Sequence, residues 1–126
     1  MKINDPRVLS EIRVQFERYE RALMTDDLSE MDQLFHDAHT TIRYGVGEVL
    51  YGMEEIRDFR NGRGGSPQRR LCRVAIATFG DDLATTNAEF FREGTDRRGR
   101  QSQTWVRFQD GWKIVSAHVS MEGSTS

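Results

Sequence analysis

The chain has 126 residues, with 18 basic and 20 acidic side chains and a formal net charge of −2. That length suffices for one core but not for a second catalytic domain, and the near-balanced charge gives no field to draw in nucleic acid or an anionic membrane surface. A single cysteine, Cys72, excludes an internal disulfide and a thiolate metal site, and no window approaches the ~20 apolar residues that span a bilayer.

The opening stretch "MKINDPRVLSEIRVQFERYE" has no apolar run like that of a signal peptide, so a cytoplasmic setting is expected. The expected organisation is one domain over 1–126, with a core at 3–121 and a polar tail at 122–126.

Asn4 or Asp5 can cap a helix whose first position is Pro6, and Val8, Ile12, Phe16, Tyr19 and Leu23 then recur at helical spacing. A shorter helix fits 28–35, with Leu28, Met31, Leu34 and Phe35 inward. "TTIRYG" and "EVLYG" read as two short strands, followed by a helix over about 53–63 and a break at "GRGGSP", 62–67. Four strands complete the chain, at 69–79, 83–94, 99–109 and 112–121, with turns at Gly80-Asp81-Asp82 and Asp110-Gly111. This order predicts an α+β fold in which about three helices cover the concave face of a curved, mostly antiparallel sheet, leaving a cone between them.

If Asp110-Gly111 is a two-residue turn, Gln109 pairs with Trp112, and Trp105, Gln103 and Gln101 fall opposite Ser116, His118 and Ser120 on one polar face. The other face, with Val106, Phe108, Val115, Ala117, Val119 and Met121, is too apolar to be left in water. A cavity under the helices for the polar face and a subunit contact for the apolar one satisfy both, which predicts at least a homodimer. Gln103 and His118 as a hydrogen-bonded core pair without any ligand is the plainer alternative.

For the strand at 83–94 the loop length decides the face. A four-residue loop at 95–98 sets Ala88 and Phe90 beside Gln103 and Trp105, whereas one more residue sets Asn87 and Glu89 there. His36, His39 and His118 are scattered, with no carboxylate cluster at ligand spacing, and no glycine-rich loop follows a strand, so neither a metal nor a phosphate-bearing cofactor is expected. Cys72 has no evident base partner and reads as packing.

The segments "ERYERAL" (17–23), "TIRYG" (41–45), "LYG" (50–52), "IRDFR" (56–60), "EFFREG" (89–94), "GRQSQTWVR" (99–107) and "GWKIVSAHVS" (111–120) resemble the AtzH-like family. The likeness runs from about residue 3 to 121, and its last two segments are the most specific. It implies the cone fold of the nuclear-transport-factor-2-like, or SnoaL-like, superfamily. Family members are associated with amidase-centred pathways for cyanuric acid or purine-derived ureides, and the resemblance is to a cofactor-free decarboxylase of 1,3-dicarboxyurea that yields allophanate. By that resemblance Tyr19 and Arg43 match the catalytic tyrosine and arginine. The "GRGGSP" loop and the tail have no match in the pattern.

The chemistry is compatible with those residue types. An N-carboxylated urea that loses CO2 leaves its electron pair on nitrogen, and a positioned proton donor neutralises it without a metal. Tyr19 lies on the inner stripe of its helix, and a neighbouring arginine would ease release of its proton; the alternative is an ordinary core aromatic. Arg43 alternates with Ile42 and Tyr44 on its strand, so its planar fork can be aimed inward at a carboxylate or outward at solvent. Arg60 is a second candidate anion contact, Gln103 and His118 are candidates for orienting substrate, and Trp105 is a candidate cavity wall.

Three functions are carried forward: a cofactor-independent decarboxylase of a small N-carboxylated urea, a non-catalytic ligand-binding or dimerisation module accompanying an amidase, and an isomerase or cyclase of the SnoaL-like kind. The last requires an acidic base facing the cavity, for which Glu89 is the candidate.

Overall fold

The computed structural model describes residues 1–123; residues 124–126 of the expected polar tail lie outside them. Helix α1 (Pro6–Met24) starts where the Asp5 side chain accepts from the Arg7 backbone N–H at 2.9 Å, with Pro6 as the first helical residue. The stripe Val8, Ile12, Phe16, Tyr19 and Leu23 is buried along its length. Helix α2 (Leu28–Leu34) is capped by Asp27 and stops one residue earlier than its apolar pattern suggests. Phe35 turns extended and bridges Ile114, and the His36 N–H donates to the Ile114 carbonyl. The sheet edge captures the last residue of the pattern.

Two short strands follow, β1 (Ile42–Tyr44) and β2 (Val49–Tyr51), then helix α3 (Met53–Arg63), which Gly64 closes in the left-handed conformation at φ 79°. The second half is β3 (Arg69–Phe79), β4 (Leu83–Arg92), β5 (Arg98–Phe108) and β6 (Gly111–Met121). The six strands form one sheet in the order β2-β1-β6-β5-β4-β3. β1 lies parallel to β6 and every other pairing is antiparallel. The helices pack on one face of this sheet. Their shared core runs from Val8 and Ile12 through Met31, Leu34 and Phe35 to Trp105, Trp112 and Ile114. Among the described residues no helix is long and apolar enough to cross a membrane.

The β5–β6 register differs from the expected one. The turn falls at Gln109-Asp110, so Phe108 pairs with Gly111 and Trp105 with Ile114. This two-residue displacement alone keeps the same side chains inward. A bulge at Val115 then inserts one residue, and from there on Thr104 faces Ser116, Gln103 faces Ala117 and Ser102 faces His118. The bulge exchanges the faces of β6 along its second half. Trp112, Ile114, Ala117 and Val119 are buried under the helices, whereas Ser116 and His118 are exposed on the outer face.

Two expectations are corrected by that bulge. His118 does not share a face with Gln103, and Ala117 and Val119 do not belong to an outer apolar patch with Val106 and Phe108. The aromatic surface on the outer face lies nearer the β2 edge. There Tyr44 and Tyr51 join hydroxyls at 2.8 Å, and Tyr44 meets His118 edge-on at 5.6 Å between centroids. For β4 the shorter-loop parity holds: Ala84 faces Trp105, Thr86 faces Gln103 and Ala88 faces Gln101, so Asn87 and Glu89 point outward.

Candidate functional site

Tyr19 and Arg43 come together. They line one small chamber between helix and sheet with Leu23, Arg63, Ser66, Pro67, Arg69, Arg92, Gln101 and Val119, a space of about 30 Å3. Each reaches it by a rule of its own element. Tyr19 is on the buried stripe of α1. Arg43 faces inward because Ile42 and Tyr44 share the outer face with their β6 partners Ser116 and His118. Its own partner across β6 is the buried Ala117, and Arg43 is itself 8% exposed.

The chamber is strongly cationic. Arg43 Nη1 donates to Glu48 Oε1 at 2.7 Å, and the Gly47 N–H donates to Glu48 Oε2 at 3.1 Å, which draws the glutamate of the β1–β2 turn back over the sheet end. Gly45 lacks the Cβ that would overlap this carboxylate. Arg69 holds Glu20 through two nitrogens at 3.0 and 2.6 Å and also donates to Gln101 Oε1 at 3.1 Å. Arg63 donates from Nη2 to Ser66 Oγ at 2.6 Å, and its buried Nε has no partner among the described residues. Burial first, and the Arg43 charge second, push Arg63 below the ordinary guanidinium range; burial and then Arg69 do the same to Arg92. Arg43 and Arg63 both lie over the Phe59 ring, at 5.7 and 5.2 Å, which restrains both planes.

The other expected contacts fall elsewhere. Arg60 is buried, but it pairs with Asp32 at 2.8 Å and stacks on Phe35 at 4.3 Å, away from the chamber lining. Gln103 and Trp105 are inward but closed into the core: Thr86 Oγ1 donates to Gln103 Oε1 at 3.0 Å and accepts from Trp105 Nε1 at 3.0 Å. His118 is outward. Glu89 lies 3.4 Å from Arg98 on the outer side, so it does not present an acidic base to the cavity. The sequence reading missed Glu20, Glu48, Arg63, Arg69 and Arg92. Arg69 and Arg92 become direct cross-strand partners only through the register shift between Leu71 and Arg73, so their opposition is not readable from local spacing.

Two wider hollows differ in relation to this site. One of about 490 Å3, bounded by Gln68, Arg70, Phe91 and Thr95, is also lined by Arg69 and Arg92. A surface groove of about 710 Å3 beside His36, Arg57, Phe108 and Lys113 shares no residue with it. Guanidiniums, a phenol and an amide bind and protonate anions; they are not a set that holds a metal.

A model of the AtzH-like family matches residues 1–125. A crystal structure of a protein of unknown function from the DUF3225 family of Pectobacterium atrosepticum is 45% identical, with TM-score 0.93 over 96% of this chain and 95% of that one. A cystatin-like fold protein from Burkholderia xenovorans is 42% identical, with TM-score 0.94 over 98% of each chain. A nuclear-transport-factor-2-like superfamily protein from Salmonella enterica, 24% identical at TM-score 0.76 over 96% of this chain and 95% of that one, shares the fold. No curated protein matches the chain.

Proposed function

The chain belongs to the AtzH-like family, and from that premise we propose that it is a cofactor-independent decarboxylase of a small N-carboxylated urea, of the 1,3-dicarboxyurea-to-allophanate type. The observation that carries the reading is the convergence of the Tyr19 phenol with inward guanidiniums in one buried chamber.

In the proposed step Arg43 receives a substrate carboxylate, displacing Glu48 from its fork. The bond between the carboxylate carbon and the urea nitrogen breaks, its electron pair goes to nitrogen, and CO2 leaves. Tyr19 gives that nitrogen its proton, so R–NH–COO⁻ and one proton become R–NH2 and CO2, and solvent reprotonates the phenolate. The surrounding cations stabilise the phenolate while it lasts.

A cytoplasmic homodimer or homotetramer, working beside a pathway amidase, completes the proposal. The outer face bearing Tyr44, Val49 and Tyr51 is the surface that supports self-association, since Val49 and Tyr51 are 60% and 53% exposed. A clean monomer by light scattering at micromolar concentration would remove that part.

The decisive experiment is turnover of 1,3-dicarboxyurea, corrected for its spontaneous decay, by the parent protein, Tyr19→Phe and Arg43→Ala. Each variant is expected to lose about a hundredfold or more, with KM rising for Arg43→Ala and kcat alone falling for Tyr19→Phe. Folded variants that match the parent rate would leave the non-catalytic binding module as the better reading.

A further inference from the structure

We propose that Arg63 and Arg92 form a second anion clamp in the chamber, distinct from the Arg43 fork, so that the site selects ligands bearing two carboxylates over ligands bearing one. The inference rests on the decarboxylase reading for the role of Arg43, and adds to it the residues that set substrate class.

The charge distribution carries the argument. Four guanidiniums line the chamber, from Arg43, Arg63, Arg69 and Arg92, and two of them are matched: Arg43 by Glu48 and Arg69 by Glu20. Arg63 and Arg92 have no carboxylate within ion-pair distance among the described residues. Among the described residues Arg63 donates only to the neutral Ser66 hydroxyl, and its buried Nε–H has no partner. Burial penalises the charged form of both. Both side chains are half-buried, so a cation there without a counter-ion bears part of the desolvation cost, and an incoming anion relieves it.

Backbone geometry points the same way. Arg92 stands directly opposite Arg69 in the β3–β4 ladder, a like-charge pair of which Glu20 neutralises only one member. The Gln101 amide nitrogen, from a residue also in the lining, is buried without a partner among the described residues and supplies a further donor. Two unmatched guanidiniums and a free amide, beside a fork already holding a displaceable carboxylate, are complementary to a compact dianion whose charges are spread over two groups.

The test uses the full chain and three probes: malonate as an unreactive dicarboxylate, acetate as the monocarboxylate, and inorganic phosphate as a compact single anion, each titrated by calorimetry. Malonate should bind at least about tenfold more tightly than acetate. Arg63→Gln and Arg92→Gln should each weaken malonate by about tenfold and leave acetate within about twofold, whereas Arg43→Gln should weaken both. Arg63→Lys and Arg92→Lys, which keep the charge but not the fork, should each recover part of the malonate affinity lost in the glutamine variant at the same position, which tells loss of charge from a folding artefact. Equal affinity for malonate and acetate, malonate binding unaffected by both substitutions, phosphate binding as tightly as malonate through the same two arginines, or no anion binding by folded protein would each overturn the clamp. Turnover separates the two claims: a malonate preference lost with Tyr19-dependent turnover retained sinks the clamp alone, and a preference retained with no turnover sinks the decarboxylase alone.

Discussion

Gln103 and Gln101 stand two positions apart on the inner face of β5; both are 2% exposed, and each has a buried amide nitrogen without a partner among the described residues. Their surroundings differ. Gln103 accepts from Thr86, which also receives the Trp105 indole N–H, and it lies between Thr86 and Ala117 on the neighbouring strands. Gln101 accepts from Arg69 and faces a chamber of guanidiniums. One end of the cone is therefore a neutral polar cluster inside an apolar core, and the other a polar network with cations left over. The difference shows that an inward polar residue on such a sheet is not evidence of a site by itself; unmatched charge beside it is what separates binding from packing.

The sharpest way to break this comparison is at the closed end. Trp105 is fully buried, so Trp105→Ala should cost about 3–5 kcal/mol of stability by denaturant unfolding. Malonate affinity per folded molecule should stay within about twofold of the parent, since the closed end carries no ligand. A selective loss of anion binding at unchanged stability would show that the two ends are one site.

Gly99→Ala probes the boundary. The new Cβ would overlap the Phe90 ring, over which the Arg69 guanidinium lies at 4.4 Å and that of Arg92 at 5.9 Å. Overpacking there should cost about 1–3 kcal/mol. Unlike Trp105→Ala, it should also weaken malonate measurably, because the displaced ring supports two of the chamber's cations. A stability loss with intact binding would mean that Phe90 does not position them.

How much of this was legible in the chain follows the same division. The stripe ending in Tyr19 and Leu23, the cap at Asp5 and Pro6, and the span of α3 follow from local spacing, and local spacing decides them. The face of β6 did not follow, because a bulge is a register event between strands. Its trace was nevertheless present: Ile114 and Val115 are adjacent apolar residues, with Trp112 and Ile114 in phase before them and Ala117 and Val119 in the opposite phase after. The cations of the chamber were hidden for another reason. Arg63, Arg69 and Arg92 come from α3, β3 and β4, and only tertiary folding brings them beside Tyr19.

The smallest expected effect is at the open end, where Glu48→Gln tests whether the fork of Arg43 is held shut by the protein's own carboxylate. Glu48 and Arg43 side chains are 20% and 10% exposed, so the pair is partly desolvated yet lies at a strand end near solvent. Glutamine keeps an oxygen that can accept from Arg43 Nη1 but removes the charge, so stability should fall by no more than about 1 kcal/mol. The competing carboxylate is then gone, and the excess positive charge of the chamber rises. Acetate and malonate should both tighten by about two- to fivefold, because a ligand carboxylate no longer has to displace an anionic side chain. Malonate should gain at least as much as acetate, since the Glu48 charge acts on Arg63 and Arg92 as well as on Arg43. If Glu48→Gln weakened both anions instead, the glutamate would be orienting Arg43 for its ligand rather than standing in for it, and ligand entry would leave the Arg43–Glu48 pair intact.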